Sequence, residues 1–184
     1  MKLFVIADIH GSLPALNLAL QAFHQEQADY IILLGDILNH GPRNPLPNGY
    51  EPAMVAVKLN EYAKQIIAVR GNCDSEVDQG LLDFPIDASY NQLLIERRRV
   101  FITHGHIYHS QNLPPLQRGD VFCFGHSHIA MAEKQHDIVM FNPGSITLPR
   151  GEVNTPSYGL IESQGVSVKR LSDSKLILFQ DLAS

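Results

Sequence analysis

Apolar residues fall in short runs along the chain, and each early run is closed by glycine or by an acidic, amide or imidazole side chain. Residues 3–7 read as a buried strand, broken by Asp8-Ile9-His10-Gly11-Ser12. Leu13, Leu16, Leu20 and Phe23 then recur at helical spacing, with Ser12 as candidate cap and Pro14 in the first turn. Residues 30–34 form a second apolar run, ended by Gly35-Asp36 and followed by a loop dense in Asn, Gly and Pro over residues 39–49. Pro52 opens a second helix carrying Val55, Leu59 and Tyr62, and residues 66–69 form a third strand ended by Gly71-Asn72. This strand–helix alternation predicts parallel strands covered by helices.

The second half is strand-rich. Residues 92–95, 100–103, 121–124, 129–133, 139–141, 158–162 and 166–171 are strand candidates separated by turn residues. The apolar stretch 176–179 reads either as a core strand or as an interface edge, so self-association is left open. The expectation is one α/β domain over residues 1–184, with a second, more antiparallel sheet.

Composition narrows the function. Hydrophobic residues at 45% and charged residues at 18% exclude a disordered or fibrous chain. Lys+Arg 14 against Asp+Glu 19 gives a net charge of −5, which argues against broad binding to nucleic acid or anionic membrane. The first apolar run is too short for a leader or a span, and the two Cys suggest free thiols, so the expected location is cytoplasmic. Nine His are the compositional excess, roughly twice an ordinary share.

Those histidines follow a rule: strands end, at their C-terminal side, in residues able to bind metal. The first run leads to Asp8 and His10, the second to Asp36, the third to Asn72, the run at 100–103 to His104, and the run at 121–124 to His126 and His128. In open α/β sheets ligands gather beyond the carboxyl ends of strands, so these segments can converge. Carboxylates, imidazoles and one amide suit Mn2+, Fe2+ or Zn2+ without any thiolate. A one-residue gap places both side chains on one side of an extended strand. In a turn the same gap lets the two diverge toward separate ions. Any one of these residues alone reads as a turn or cap. Seven together suit two ions about 3.5–4 Å apart that share a carboxylate and hold a hydroxide.

Asp8-Ile9-His10, Gly35-Asp36, Gly71-Asn72, His104 and Gly125-His126-Ser127-His128 occur in the order seen in the calcineurin-like metallophosphoesterase family. The chain resembles that family, and Thr103-His104-Gly105-His106 with Asn142-Pro143-Gly144-Ser145 resembles its small bacterial and archaeal phosphodiesterase branch. The resemblance implies a four-layer α-β-β-α sandwich, two mixed β-sheets flanked by helices. It implies that Asp8, His10 and His128 hold one divalent ion, that Asn72, His104 and His126 hold another, and that Asp36 bridges them. It further implies hydrolysis of a small phosphodiester or phosphomonoester by the bridging hydroxide. Mn2+ is the first choice of metal, with Zn2+, Fe2+, Ni2+ or Mg2+ as alternatives.

One position departs. Many members carry His after the Asn, for phosphate binding or leaving-group protonation, whereas this chain has Cys73. A thiol is a poorer proton donor and carries no positive charge. Asn72, Cys73 and Asp74 are the catalytic candidates, Asp74 as a group that orients a ligand or as a solvated loop carboxylate. Arg43 is a candidate phosphate clamp and His106 a candidate pocket residue, each with an ordinary surface role as its rival. Two rival functions remain: a superfamily nuclease, disfavoured by the charge, and a non-catalytic module like the phosphoesterase-like subunit of retromer, disfavoured by the full set of seven metal positions.

Overall fold

A computed structural model describes residues 1–182. Its elements run β1 (Leu3–Ile6), α1 (Leu13–Glu26), β2 (Tyr30–Leu33), α2 (Pro52–Asn60), β3 (Ile66–Ala68), α3 (Glu76–Gln79), β4 (Tyr90–Ile95) and β5 (Arg98–Thr103). They continue β6 (Val121–Cys123), β7 (Met131–Gln135), β8 (Ile138–Asn142), β9 (Ser157–Ile161), β10 (Gly165–Arg170) and β11 (Leu176–Asp181). The strands form two mixed sheets in the orders β11-β10-β9-β1-β2-β3 and β4-β5-β6-β8-β7, flanked by few helices. Among the described residues no helix is long and apolar enough to cross a membrane.

The parallel part of the first sheet is the predicted one: β1 with β2, and β2 with β3. The later strands do not form one separate antiparallel sheet. β9 returns to pair antiparallel with β1, and β10 and β11 extend that edge. The second sheet keeps a parallel centre, β5-β6-β8, with antiparallel edges β4 and β7. Local pattern carries no record of which distant strand a given strand will join.

Alternation along the strands builds a layered core. Phe4 and Ile6 of β1 and Ile31 and Leu33 of β2 face the helices, against Leu16, Leu20 and Phe23. Leu3, Val5, Ile32 and Leu34 face the other way, against Val100, Ile102, Val121 and Cys123 of the second sheet. Burial on both faces explains why these strands read as unbroken apolar runs. Each such side chain contributes about 1.5–3 kcal/mol on burial. The outer face of the second sheet carries Phe101, Phe122, Phe124 and Met140, covered by Tyr108 and Leu116 from the loop after β5.

Boundaries follow local chemistry. Ser12 caps α1 by accepting from Ala15 N, as its position predicts. α2 ends before Tyr62, which leads into a 3-10 turn. α3 has no apolar periodicity to announce it and is set by a capping box between Ser75 and Asp78. Residues 129 and 130 lie outside β7, because Ile129 bridges to Arg150 instead. β11 is a sheet edge in which Leu176 and Phe179 are exposed, while Ile177 and Leu178 pack on the inter-sheet core.

Candidate metal centre

All seven candidates follow strand ends, and the fold brings them to one place. The chain turns sharply at the ligands: φ is 57° at Asp8, 49° at His10, 53° at Asp36, 63° at His126 and 60° at His128. Left-handed backbone at a non-glycine residue costs on the order of 1–2 kcal/mol, so the surroundings must hold it. It also replaces the extended-strand reading of the one-residue gaps. His126 and His128 diverge into different groups, while Asp8 and His10 stay together.

The first group is Asp8, His10 and His128. Asp8 Oδ1 lies 3.3 Å from His128 Nε2 and 4.0 Å from His10 Nε2, and the two imidazole nitrogens are 3.4 Å apart. The second group is Asp36, Asn72, His104 and His126. His104 Nε2 lies 3.0 Å from Asn72 Oδ1, 3.1 Å from His126 Nδ1 and 3.5 Å from Asp36 Oδ2. Asp36 Oδ2 is also 3.8 Å from His10 Nε2, so this single oxygen stands between the groups.

Three of the four rings are oriented through their far nitrogen. Nδ1 of His10 donates to Asn39 O (2.9 Å), that of His104 to Leu34 O (2.6 Å) and that of His128 to Leu148 O (2.6 Å). A carbonyl only accepts, so the proton sits on Nδ1 and the Nε2 lone pair points inward. Acceptors therefore face acceptors across 3.0–3.5 Å. Asp8 Oδ1 is buried and finds no hydrogen-bond donor among the described residues. Such an arrangement is costly unless protons or cations lie between the groups. The oxygen and imidazole donors, two groups sharing one carboxylate, fit divalent cations.

Burial raises the Asp8 pKa, but its contact with His128 and the nearby imidazoles outweigh that and hold it below the usual carboxylate range. Burial lowers the pKa of His128 while Asp8 raises it, with a net rise. Burial and the neighbouring His104 push His126 down.

Other residues hold the ligands. Asp74 is buried rather than solvated: it accepts from Asp36 N (2.9 Å), Gly71 N (2.7 Å) and Ile37 N (2.8 Å). Burial still raises its pKa, helped by the Asp36 charge. Asp36 Oδ1 accepts from Cys73 N at 2.8 Å, which leaves Oδ2 for the centre. Gly71 is required by closeness, not by φ, since a Cβ there would collide with the Asp36 backbone and carboxylate. Ser145 Oγ donates to Asp8 O (2.9 Å), and Thr147 Oγ1 donates to Ile9 O (2.9 Å). Asn142 Nδ2 donates to Gly125 O at 2.9 Å, steadying the turn before His126.

The centre opens into a cleft of about 760 Å³, lined among others by Arg43, Asn72, Cys73, His126, His128 and Arg150. Cys73 is half-buried, and burial and the Asp36 carboxylate push its thiol up to about 12. His106 is exposed, with its ring 5.2 Å from that of His104 and 6.2 Å from that of His126. Partial shielding of the ring and those two neighbouring rings lower its pKa. His40 packs edge-on against Tyr50 at 5.2 Å. Sequence reasoning passed over Arg150 and Thr147, which sit in no motif and become visible only through what they touch.

The sequence model of the calcineurin-like phosphoesterase superfamily domain matches residues 1–165. Phosphodiesterase YfcE of Escherichia coli strain K12 is 52% identical over 177 residues, covering 96% of both chains. Phosphodiesterase MJ0936 of Methanocaldococcus jannaschii is 27% identical over 152 residues, covering 78% of this chain and 83% of its own. Among solved structures, E. coli YfcE, described as a phosphoesterase, superposes with a TM-score of 0.97 at 50% identity over 100% of both chains.

Proposed function

This chain belongs to the calcineurin-like phosphoesterase superfamily and is a metal-dependent phosphodiesterase, and from that premise we propose that it hydrolyses small phosphate esters with two divalent cations. Asp8, His10 and His128 hold one and Asn72, His104 and His126 the other, with Asp36 shared. The observation that carries this reading is the buried crowding of acceptors around Asp36 Oδ2, with Asp8 Oδ1 lacking any donor. When bound, such a pair of cations supplies a nucleophile from water at neutral pH and takes up charge on the phosphoryl oxygens. Mn2+ is the first candidate, and Zn2+, Fe2+, Ni2+ and Mg2+ are its competitors.

The protein groups have distinct tasks. The Nδ1–H bonds of His10, His104 and His128 fix tautomer and ring direction before substrate arrives. Asp74 positions Asp36 through the backbone amides it accepts. Arg43 and His106 offer polar contacts to substrate on the open side. Cys73 stands where an imidazole would protonate a leaving group. Its thiol keeps its proton at neutral pH but gives it up poorly, which favours esters whose leaving group needs none. The whole chain, 1–184, acts as one cytoplasmic domain in this reading, and the net charge of −5 disfavours nucleic acid as substrate.

The test is elemental analysis of the purified protein together with turnover of bis-p-nitrophenyl phosphate in Mn2+. The expected result is two ions per chain and turnover abolished by a chelator. Metal-free protein, or turnover indifferent to chelation, refutes the proposal.

A further inference from the structure

Of the ligand candidates, Asp36, Asn72, His126 and His128 account for the floor of the cleft but not for its walls. Two arginines line those walls: Arg43 in the loop after β2 and Arg150 in the segment after β8. Arg70, Arg99, Arg118 and Arg170 each pair with a carboxylate. Among the described residues neither Arg43 nor Arg150 has a carboxylate within 4.0 Å. The only acidic residue lining the cleft is Asp36, which faces the metal centre. In a chain of net charge −5, two unpaired cations on one cleft are not the overflow of a basic surface.

Arg150 is also set in place. Its Nη2 donates to Asn44 Oδ1 at 2.9 Å, and its backbone N donates to His128 O at 2.9 Å. Asn44 is in turn fixed by Nδ2 to His40 O at 2.9 Å and by its backbone N to Gly41 O. One neutral amide therefore ties the Arg150 wall to the loop that carries Arg43, and neither guanidinium charge is neutralised. An arginine fork held by an amide keeps further donors free for a planar or tetrahedral anion.

A scissile phosphoryl group at the metal centre leaves two unneutralised guanidinium groups elsewhere on the same cleft, and these suit a second anion. We propose that Arg43 and Arg150 form a second anion subsite, and that the substrates are phosphodiesters bearing a further phosphoryl group on one ester arm. This rests on the dinuclear phosphodiesterase reading above.

The test compares two chromogenic esters with the same scissile bond: thymidine 5′-(p-nitrophenyl phosphate) and its 3′-phosphorylated counterpart. The parent should show kcat/KM at least about tenfold higher for the 3′-phosphorylated ester, carried by KM, since the subsite binds rather than reacts. Arg43→Gln and Arg150→Gln should each shrink that ratio several-fold, with Arg150→Lys retaining part of it and ion content equal to the parent's in all three. Equal kcat/KM for the two esters overturns the subsite and leaves the phosphodiesterase reading standing. So does a preference that survives the double Gln variant. Turnover of neither ester by metal-loaded protein sinks the phosphodiesterase reading and the subsite with it.

Discussion

The two halves of the centre share carboxylate and imidazole donors, with the Asn72 amide in one only, and they are built differently. Asp8, His10 and His128 are 0%, 0% and 3% exposed, and the segment 145–148 braces Asp8 through Ser145, the Ile9 carbonyl beside His10 through Thr147, and His128 through Leu148. In the other half Asp36 and His104 are equally buried, but His126 is half-buried and Asn72 lies on the surface of the cleft. One half is enclosed and braced before any ion arrives, and the other is finished by side chains on the rim. Preorganisation should therefore separate their affinities. The enclosed half should keep its cation, and the open half should exchange its cation and face the substrate.

The strongest test removes the difference altogether. Asp36→Asn weakens both halves at once, so both ions should fall in elemental analysis. Turnover of bis-p-nitrophenyl phosphate should drop by more than the roughly 10–100-fold typical of a residue that merely orients a ligand. Next in size is the contrast between His126→Ala and His128→Ala. After gel filtration the first should retain about one ion per chain and the second should lose the tightly held one; equal retention would break the comparison.

A smaller effect isolates the brace. Ser145→Ala with Thr147→Val should weaken one ion by about 10–100-fold in calorimetric titration and leave the other unchanged. Equal weakening of both ions would mean that the segment supports the whole fold rather than one half. The smallest effect concerns Cys73 on the open side. Cys73→His should keep the metal content and raise turnover of a diester with an alkoxide leaving group a few-fold, while leaving that of bis-p-nitrophenyl phosphate nearly unchanged. The parent's thiol, raised to about 12, contributes no limb to the pH profile below that value. On the alkoxide-leaving ester the variant should gain one, its rate falling as pH rises through an imidazole pKa of about 6.5, because only the protonated ring donates. A variant no faster than the parent on that ester, with no new limb, would count against a proton-donor position at residue 73.

Much was legible beforehand where local chemistry dominates. The buried strands of the first half announce themselves because both faces are apolar, and α1 because Ser12 and Pro14 mark its start. The seven candidate ligands stand out because polar groups directly after buried strands must be satisfied somehow, and because they recur in a fixed order. Asp74 and Cys73 could be placed beside the site by adjacency to Asn72 alone. Other features carried no such signal: α3 rests on one capping box, and Arg150 and Thr147 look like ordinary loop residues.

Residue order by itself determined which atoms are available and at which strand ends they appear, since strand formation and turn chemistry act over a few neighbours. Folding in three dimensions decided the rest: that β9 closes beside β1, that His126 and His128 part company, and that Ser145 reaches the carbonyl of Asp8. Those outcomes depend on pairing and packing between segments more than a hundred residues apart, where no local periodicity reports and only the joint burial of both sheets selects the partner.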